Sequence, residues 1–230
     1  MRSLLRPLQS RVLASPRTAS QSAHRRLQSS LAACPSCHTP FRTHIPACTS
    51  CWSIHPLPPN MTHHDLLDVP YEPNPFHVDP RRLKAQFRKA QAQCHPDSWA
   101  SKSPKQLDLA HTLSSRINEA YQCLLDPLAR AEYILKRNGV VMSETDQTDD
   151  MELLEKVMDA NEAIAMMGPE DADQISELRS KNQDDMKRVS DVLEGLIREQ
   201  RWQEAKGEAI RLRYLQGIER SYRKWQEEQT

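Results

Sequence analysis

Two pairs of cysteines stand close together in the first quarter of the chain, Cys34-x2-Cys37 and Cys48-x2-Cys51, separated by ten residues. Four thiolates in this arrangement can close a tetrahedral Zn2+ site, two knuckles on one ion, and so order a segment too short to have a core. The string from Cys34 to His38 also matches the haem-attachment pattern, and a redox pair, a disulfide or an iron-sulfur ligand set uses the same atoms. Haem would require a large apolar pocket, which a Pro- and Thr-rich segment does not offer, so structural zinc is the expectation. Cys94 and Cys123 fall on apolar helix faces and read as buried free thiols.

A second constellation is His95-Pro96-Asp97. Acid–base chemistry would need His95 oriented by a partner and aimed into a substrate cleft, yet neither a nucleophile nor a glycine-rich phosphate cradle lies nearby. One His and one Asp across a proline make a poor metal set. A capped loop between two helices is a structural reading, and a surface read by another protein is a third. The setting favours the last, because the preceding helix carries Arg81, Arg82, Lys84, Arg88 and Lys89. A one-sided basic helix raises encounter rates with an acidic partner.

The elements that would position these residues are helical. The 230 residues include only five glycines and three phenylalanines, and 38% hydrophobic with 27% charged residues suits a soluble globular protein. In residues 80–94, Leu83, Phe87, Ala90 and Cys94 recur at helical spacing, with Pro80 in the first turn and Pro96 ending the helix. From 105 to 125, Leu107, Ala110, Leu113, Ile117, Ala120, Tyr121 and Leu124 mark a second helix, which can pair with the first as an antiparallel hairpin. A shorter helix follows Asp126-Pro127 and stops at Gly139.

The acidic segment 143–150 suggests a domain boundary. Beyond it come three amphipathic stretches: Leu154, Val157, Met158 and Ile164; then Ile175, Leu178, Met186, Val189, Leu193 and Leu196; then Trp202, Ala205, Ala209, Leu212, Leu215 and Tyr222. Short connections between them predict an antiparallel three-helix bundle.

Charge is unevenly spread. Residues 1–64 hold seven arginines and no acid, so the remainder carries 24 basic against 31 acidic groups. Residues 1–29 are Arg- and Ser-rich and acid-free, with Leu4, Leu5, Leu8 and Val12 on one helical face, the composition of a mitochondrial transit peptide. The expected location is the mitochondrial matrix. No apolar run approaches the length of a membrane span, and neither a membrane nor a nucleic-acid partner is expected.

Residues 62–139 resemble a J-domain, the module that stimulates ATP hydrolysis by DnaK-type chaperones. The likeness rests on Leu66, Leu67 and Val69, the basic helix, His95-Pro96-Asp97, Ile117-Asn118-x-Ala120-Tyr121, and Asp126-Pro127 followed by Arg130 and Tyr133. It implies that His95, Pro96 and Asp97 touch the ATPase partner, with Arg81, Arg82, Lys84, Arg88 and Lys89 against its acidic surface.

Phe76-x-Val78-Asp79, Gln91, Trp99 and Arg130-Ala131-x-Tyr133-Ile134-Leu135 with Gly139 narrow the resemblance to the HscB/Jac-type co-chaperones of iron-sulfur cluster biogenesis. In that family a J-domain precedes a C-terminal scaffold-binding three-helix bundle, here 146–230, and animal members add a double Cys-x2-Cys module, here 30–58. The resemblance implies a mitochondrial DnaK-type chaperone and an IscU/Isu-type scaffold as partners, and no catalytic activity of the chain's own. It places the scaffold on Leu154, Lys156, Met158, Asp159, Glu162 and Tyr214. Two positions depart from the family pattern: Ala163 replaces a second acidic residue, and His63-His64 replaces paired aromatics, which would soften the packing of the first helix.

Overall fold

The computed structural model describes residues 32–41 and 43–229; the expected transit peptide lies outside them. The described residues form helices without a strand: α1 (His63–Leu66), α2 (Pro80–Cys94), α3 (Pro104–Leu125), α4 (Pro127–Arg137), α5 (Met151–Met166), α6 (Ala172–Arg198) and α7 (Trp202–Glu228). One-turn 3-10 helices occupy Pro96–Trp99 and Pro169–Asp171. The expected all-α class holds, with two isolated β-bridges, Ala33 to Pro40 and Ala47 to Ile54, framing the cysteine knuckles.

Local chemistry sets the helix ends. Asp79 caps α2 by accepting from the Arg81 N–H at 2.9 Å, with Pro80 in the first turn. Asp126 both ends α3 and starts α4, its Oδ1 accepting from the N–H groups of Leu128 (2.7 Å) and Ala129 (2.9 Å). Gly139, at φ 80°, stops α4, and the Val140 N–H returns to the Leu135 carbonyl at 2.9 Å. This is the six-to-one closure of a left-handed helix terminus.

α2 and α3 pair as the expected hairpin. Ser114 donates to Gln91 Oε1 at 3.0 Å, and Gln91 Nε2 donates to Asn118 Oδ1 at 2.8 Å. Phe87 stacks on Tyr121 with ring centroids 4.2 Å apart. Around them Leu66, Leu67, Leu83, Leu113, Ile117 and Leu124 are buried, together with Ile45, Ala47 and Ile54 of the cysteine segment. That segment therefore lends side chains to the hairpin core.

α5, α6 and α7 run up, down and up. Asn182 Nδ2 donates to the Leu215 carbonyl at 3.0 Å and Arg179 Nε to Glu219 at 2.8 Å, so α6 and α7 are antiparallel. Arg211 pairs with Asp150 at the start of α5, and Trp225 Nε1 donates to the Met167 carbonyl at its end, so α5 and α7 are parallel. Ile175, Leu193, Leu212 and Leu215 fill the interior.

One sequence expectation changes here. On α5 the fully buried residues are Leu153 and Ala160, while Met158 is 71% exposed; the inward stripe is one position earlier than Leu154 and Met158 suggest. The acidic segment 143–150, where the domain boundary is expected, is held to side chains of α7. Arg213 donates to the carbonyls of Ser143 and Asp146, and Lys206 pairs with Asp146 at 2.8 Å. Apolar packing also crosses this segment, because Ala131, Ile134 and Leu135 of α4 share a core with α7.

His64 is buried, donating from Nε2 to the Pro75 carbonyl at 2.9 Å and meeting Tyr71 edge-on at 4.9 Å. His63 lies against Tyr133 at 4.3 Å, and its N–H donates to the Tyr133 hydroxyl. His64 thus takes an aromatic place in the core, and half-buried His63 takes one against Tyr133.

Candidate functional site

The cysteine segment is two copies of one turn. In the first, the Cys34 N–H donates to the Thr39 carbonyl (2.9 Å) and the His38 N–H to the Cys34 carbonyl (2.8 Å). In the second, Cys48 donates to Ser53 (2.8 Å) and Trp52 to Cys48 (3.1 Å). Each turn ends on a left-handed residue, His38 at φ 60° and Trp52 at φ 56°. The sulfur atoms of Cys34, Cys37, Cys48 and Cys51 all lie within 4.8 Å of one another. Cys34 to Cys51 and Cys37 to Cys48 are both 3.6 Å. A tetrahedral ion with 2.3 Å metal–sulfur bonds has edges of about 3.8 Å, so the four sulfurs fit such an ion.

Side chains that spacing alone did not reveal surround the sulfurs. Ser53 Oγ lies 3.3 Å from Cys34 Sγ and 3.1 Å from Cys51 Sγ, with His55 Nε2 3.1 Å behind it, and Thr39 Oγ1 lies 3.3 Å from Cys37 Sγ. The Ser53 hydroxyl, with nearby backbone N–H groups, holds the Cys34 thiol down to about 5, and Thr39 lowers Cys37. These contacts favour the thiolate, the form that ligates metal, at Cys34 and Cys37, while burial and the three neighbouring thiols raise Cys51 to about 11. Cys94, by contrast, is pushed up to about 12 by burial and Cys123 to about 11, as inert core thiols should be.

The His95-Pro96-Asp97 loop is built by the end of α2. Proline forces His95 out of helical geometry (φ −57°, ψ 127°), and the chain turns at once into the 3-10 helix. The Asp97 N–H donates to His95 Nδ1 at 3.4 Å, while both side chains face solvent, His95 55% and Asp97 91% exposed. Trp99 holds the loop from beneath: it is buried, and its Nε1 donates to the Gln93 carbonyl in the last turn of α2. Arg81, Arg82, Lys84, Arg88 and Lys89 are all exposed. Among the described residues none is in an ion pair; Arg82 donates to the Asp68 carbonyl at 3.3 Å. Side chains this open to solvent suit contact with a macromolecule.

On α5, Leu154, Met158 and Glu162 follow at four-residue steps along one ridge, with Met158 and Glu162 exposed and Leu154 partly so. Met151 and Met166, 75% and 77% exposed, extend this ridge and were not anticipated. Their helical period, seven and eight residues from Met158, was readable, but Met is equally at home in a core. The other expected residues divide between the two flanks. Lys156 and Asp159 line the groove toward α6, where Lys156 pairs with Asp185. Tyr214 lines the groove toward α7 beside Val157 and Asn161. Uncovered methionines along a helix, flanked by grooves with charged walls, form a surface suited to another protein.

Comparison with known proteins agrees with this architecture. Residues 62–133 match the DnaJ domain family model, and residues 149–223 match the model described as the HSCB C-terminal oligomerisation domain. The human iron-sulfur cluster co-chaperone protein HscB is 31% identical over 145 residues, which is 63% of this chain and 61% of the human protein. An HscB homologue from Paraburkholderia xenovorans is 34% identical over 154 residues, 66% of this chain and 86% of that protein. The crystal structure of human co-chaperone HscB superimposes with a TM-score of 0.69 at 26% identity, covering 83% of this chain and 96% of the other. With a J-type triplet, a methionine-ridged bundle and matches running through both, the chain belongs to the HscB family of co-chaperones.

Proposed function

We propose that this protein is a J-type co-chaperone of iron-sulfur cluster biogenesis in the mitochondrial matrix. It stimulates ATP hydrolysis by a mitochondrial DnaK-type chaperone and delivers an IscU/Isu-type scaffold to it. The observation that carries the reading is the exposed His95-Pro96-Asp97 loop, pinned by Trp99 to the end of a helix whose basic side chains all face solvent. His95, Pro96 and Asp97 contact the chaperone, and Arg81, Arg82, Lys84, Arg88 and Lys89 meet its acidic surface.

The scaffold sits on the α5 ridge, contacting Leu154, Lys156, Met158, Asp159, Glu162 and Tyr214. The exposure of Met158 supports this placement, since a residue needed only for folding would be covered. Cys34, Cys37, Cys48 and Cys51 hold a structural Zn2+; their sulfur spacing and the neighbouring hydroxyls suit a closed four-thiolate site. The acid-free, Arg-rich leader directs import into the matrix. Carrying both partners on one chain raises the local concentration of scaffold beside chaperone.

Single-turnover ATP hydrolysis by a purified mitochondrial DnaK-type chaperone tests the reading. Stimulation by the protein, increased further when an IscU-type scaffold is added, is the expected result. Absence of stimulation across chaperones of this type would remove the J-type assignment.

A further inference from the structure

We propose that Trp52 carries the chaperone-docking surface from the His95-Pro96-Asp97 loop onto the second cysteine knuckle. The metal module would then grip the ATPase-bearing domain of the same DnaK-type partner. This deepens the reading above and rests on it.

Trp52 is an odd occupant of its position. The knuckle turn requires a left-handed backbone, φ 56°, which glycine or asparagine adopts with least strain. The matching position of the first knuckle is held by His38, a smaller ring, at φ 60°. Tryptophan adds neither conformational ease nor full burial, because half of its surface is open to solvent. A large apolar side chain held at such a position points to contact with something outside the fold.

Its neighbours identify that something. The Trp52 ring lies 6.3 Å from Trp99, the residue that closes the 3-10 turn begun by Pro96. Thr43 Oγ1 donates to Gln93 Oε1 at 2.8 Å, and the Gln93 carbonyl receives the Trp99 indole N–H. The cysteine segment and the loop thus meet on the same two residues, Gln93 and Trp99. Lys102 completes the patch: its backbone N–H donates to the Trp99 carbonyl at 3.0 Å, and its ammonium stands 5.3 Å over the Trp52 ring.

The occupant follows from chemistry and position. An indole with a cation above it, next to a loop that ends a basic helix, suits an acidic surface with an apolar contact beside it. The chain has no Asp or Glu before Asp65, so the knuckle brings no carboxylate to repel that surface. An acidic surface that docks on α2 also suits Lys102 beside Trp52, which the basic α2 of a second copy would not.

Trp52→His is the informative substitution, because histidine already holds the equivalent backbone geometry in the first knuckle. Chaperone ATPase stimulation is titrated with the full protein and with W52H, alongside K102A and H95Q, with metal content and melting temperature measured on each. A contact predicts that W52H raises the half-saturating concentration by on the order of fivefold to tenfold at unchanged maximal stimulation, with K102A moving the same way by less. A benzoylphenylalanine placed at position 52 is expected to photo-crosslink to the chaperone's ATPase-bearing domain. This second measurement decides if W52H loses its metal. An unchanged half-saturating concentration, a loss confined to maximal stimulation, or crosslinking only to a second copy of the chain would each overturn the proposal. Failure of H95Q to abolish stimulation would instead strike the underlying J-type reading.

Discussion

His64 Nε2 donates a 2.9 Å hydrogen bond to the carbonyl oxygen of Pro75, which places a proton on that nitrogen. Nδ1 is buried without a partner among the described residues, and burial lowers the His64 pKa to about 4. In the unfolded chain this group has the ordinary value near 6.5. The unfolded state therefore takes up the proton first. Stability from this site is complete above about pH 6.5 and falls as the pH drops toward 4, by on the order of 3 kcal/mol. Thermal unfolding between pH 7 and 4 should show that slope, and His64→Phe should flatten it. An equal slope in both proteins would assign the acid sensitivity elsewhere.

His95→Gln should abolish chaperone stimulation while leaving the melting temperature within about a degree of the unmutated protein. The His95 side chain is more than half exposed, and its contacts, to the Asp97 N–H at 3.4 Å and the Asp97 carboxylate at 3.6 Å, are both long. Surface changes of this kind usually alter stability by less than about 0.5 kcal/mol. Parallel ATPase and calorimetric measurements separate the two effects.

Neighbouring residues on α5 should behave in opposite ways. Leu153→Ala opens a cavity at a buried position and should cost about 2–4 kcal/mol in urea unfolding. Met158→Ala, on the uncovered ridge, should cost less than about 0.5 kcal/mol yet weaken scaffold binding severalfold in titration calorimetry. A triple Leu154→Ala, Met158→Ala, Tyr214→Ala variant should lose binding altogether while remaining helical. Undiminished binding by that variant would move the scaffold off this face.

Removing the metal should be felt beyond the knuckles. Cys37→Ser or a strong chelator should release one Zn2+ per chain, read by elemental analysis, with no visible absorbance lost. Ile45, Ala47 and Ile54 belong to the core beneath α2 and α3, so disordering their segment should destabilise that unit by on the order of 3 kcal/mol. It should also expose Trp99 and shift the fluorescence to the red. A chelated protein with an unchanged melting curve would show the knuckles to be independent of the helices.

Much of this organisation was legible in the residues because their period and their end signals agree. Pro80, the Asp126-Pro127 step and Gly139 mark helix ends by mechanisms that act within a few residues, and the structure places the ends there. The Gln91, Asn118, Phe87 and Tyr121 contacts pair two amphipathic helices whose stripes were already visible. What escaped depends on long-range packing. Leu153 and Leu154 both suit a buried stripe, and only the docking of α5 against α7 chooses the first. Ser53 and His55 approach Cys34 from the second knuckle, and no local pattern predicts that encounter. His63-His64 looked like a weak substitute for aromatics because the Pro75 carbonyl and the Tyr133 ring that receive them are distant in sequence.

The shared core of α4 and α7 bears on how the chain can be recombined. Severing the chain in the acidic stretch and grafting the preceding part onto another client-binding module would strip the cover from Ala131, Ile134 and Leu135. It would also break the 3.2 Å contacts from Gln216 to Asp126. Cutting instead at Asp126, before α4, would take Tyr133 away from His63, 4.3 Å from its ring, and break the 2.6 Å bond from Arg130 to the Leu124 carbonyl. α4 therefore serves two interiors at once, and a hybrid that keeps both dry must carry α4 together with the α7 face that covers it.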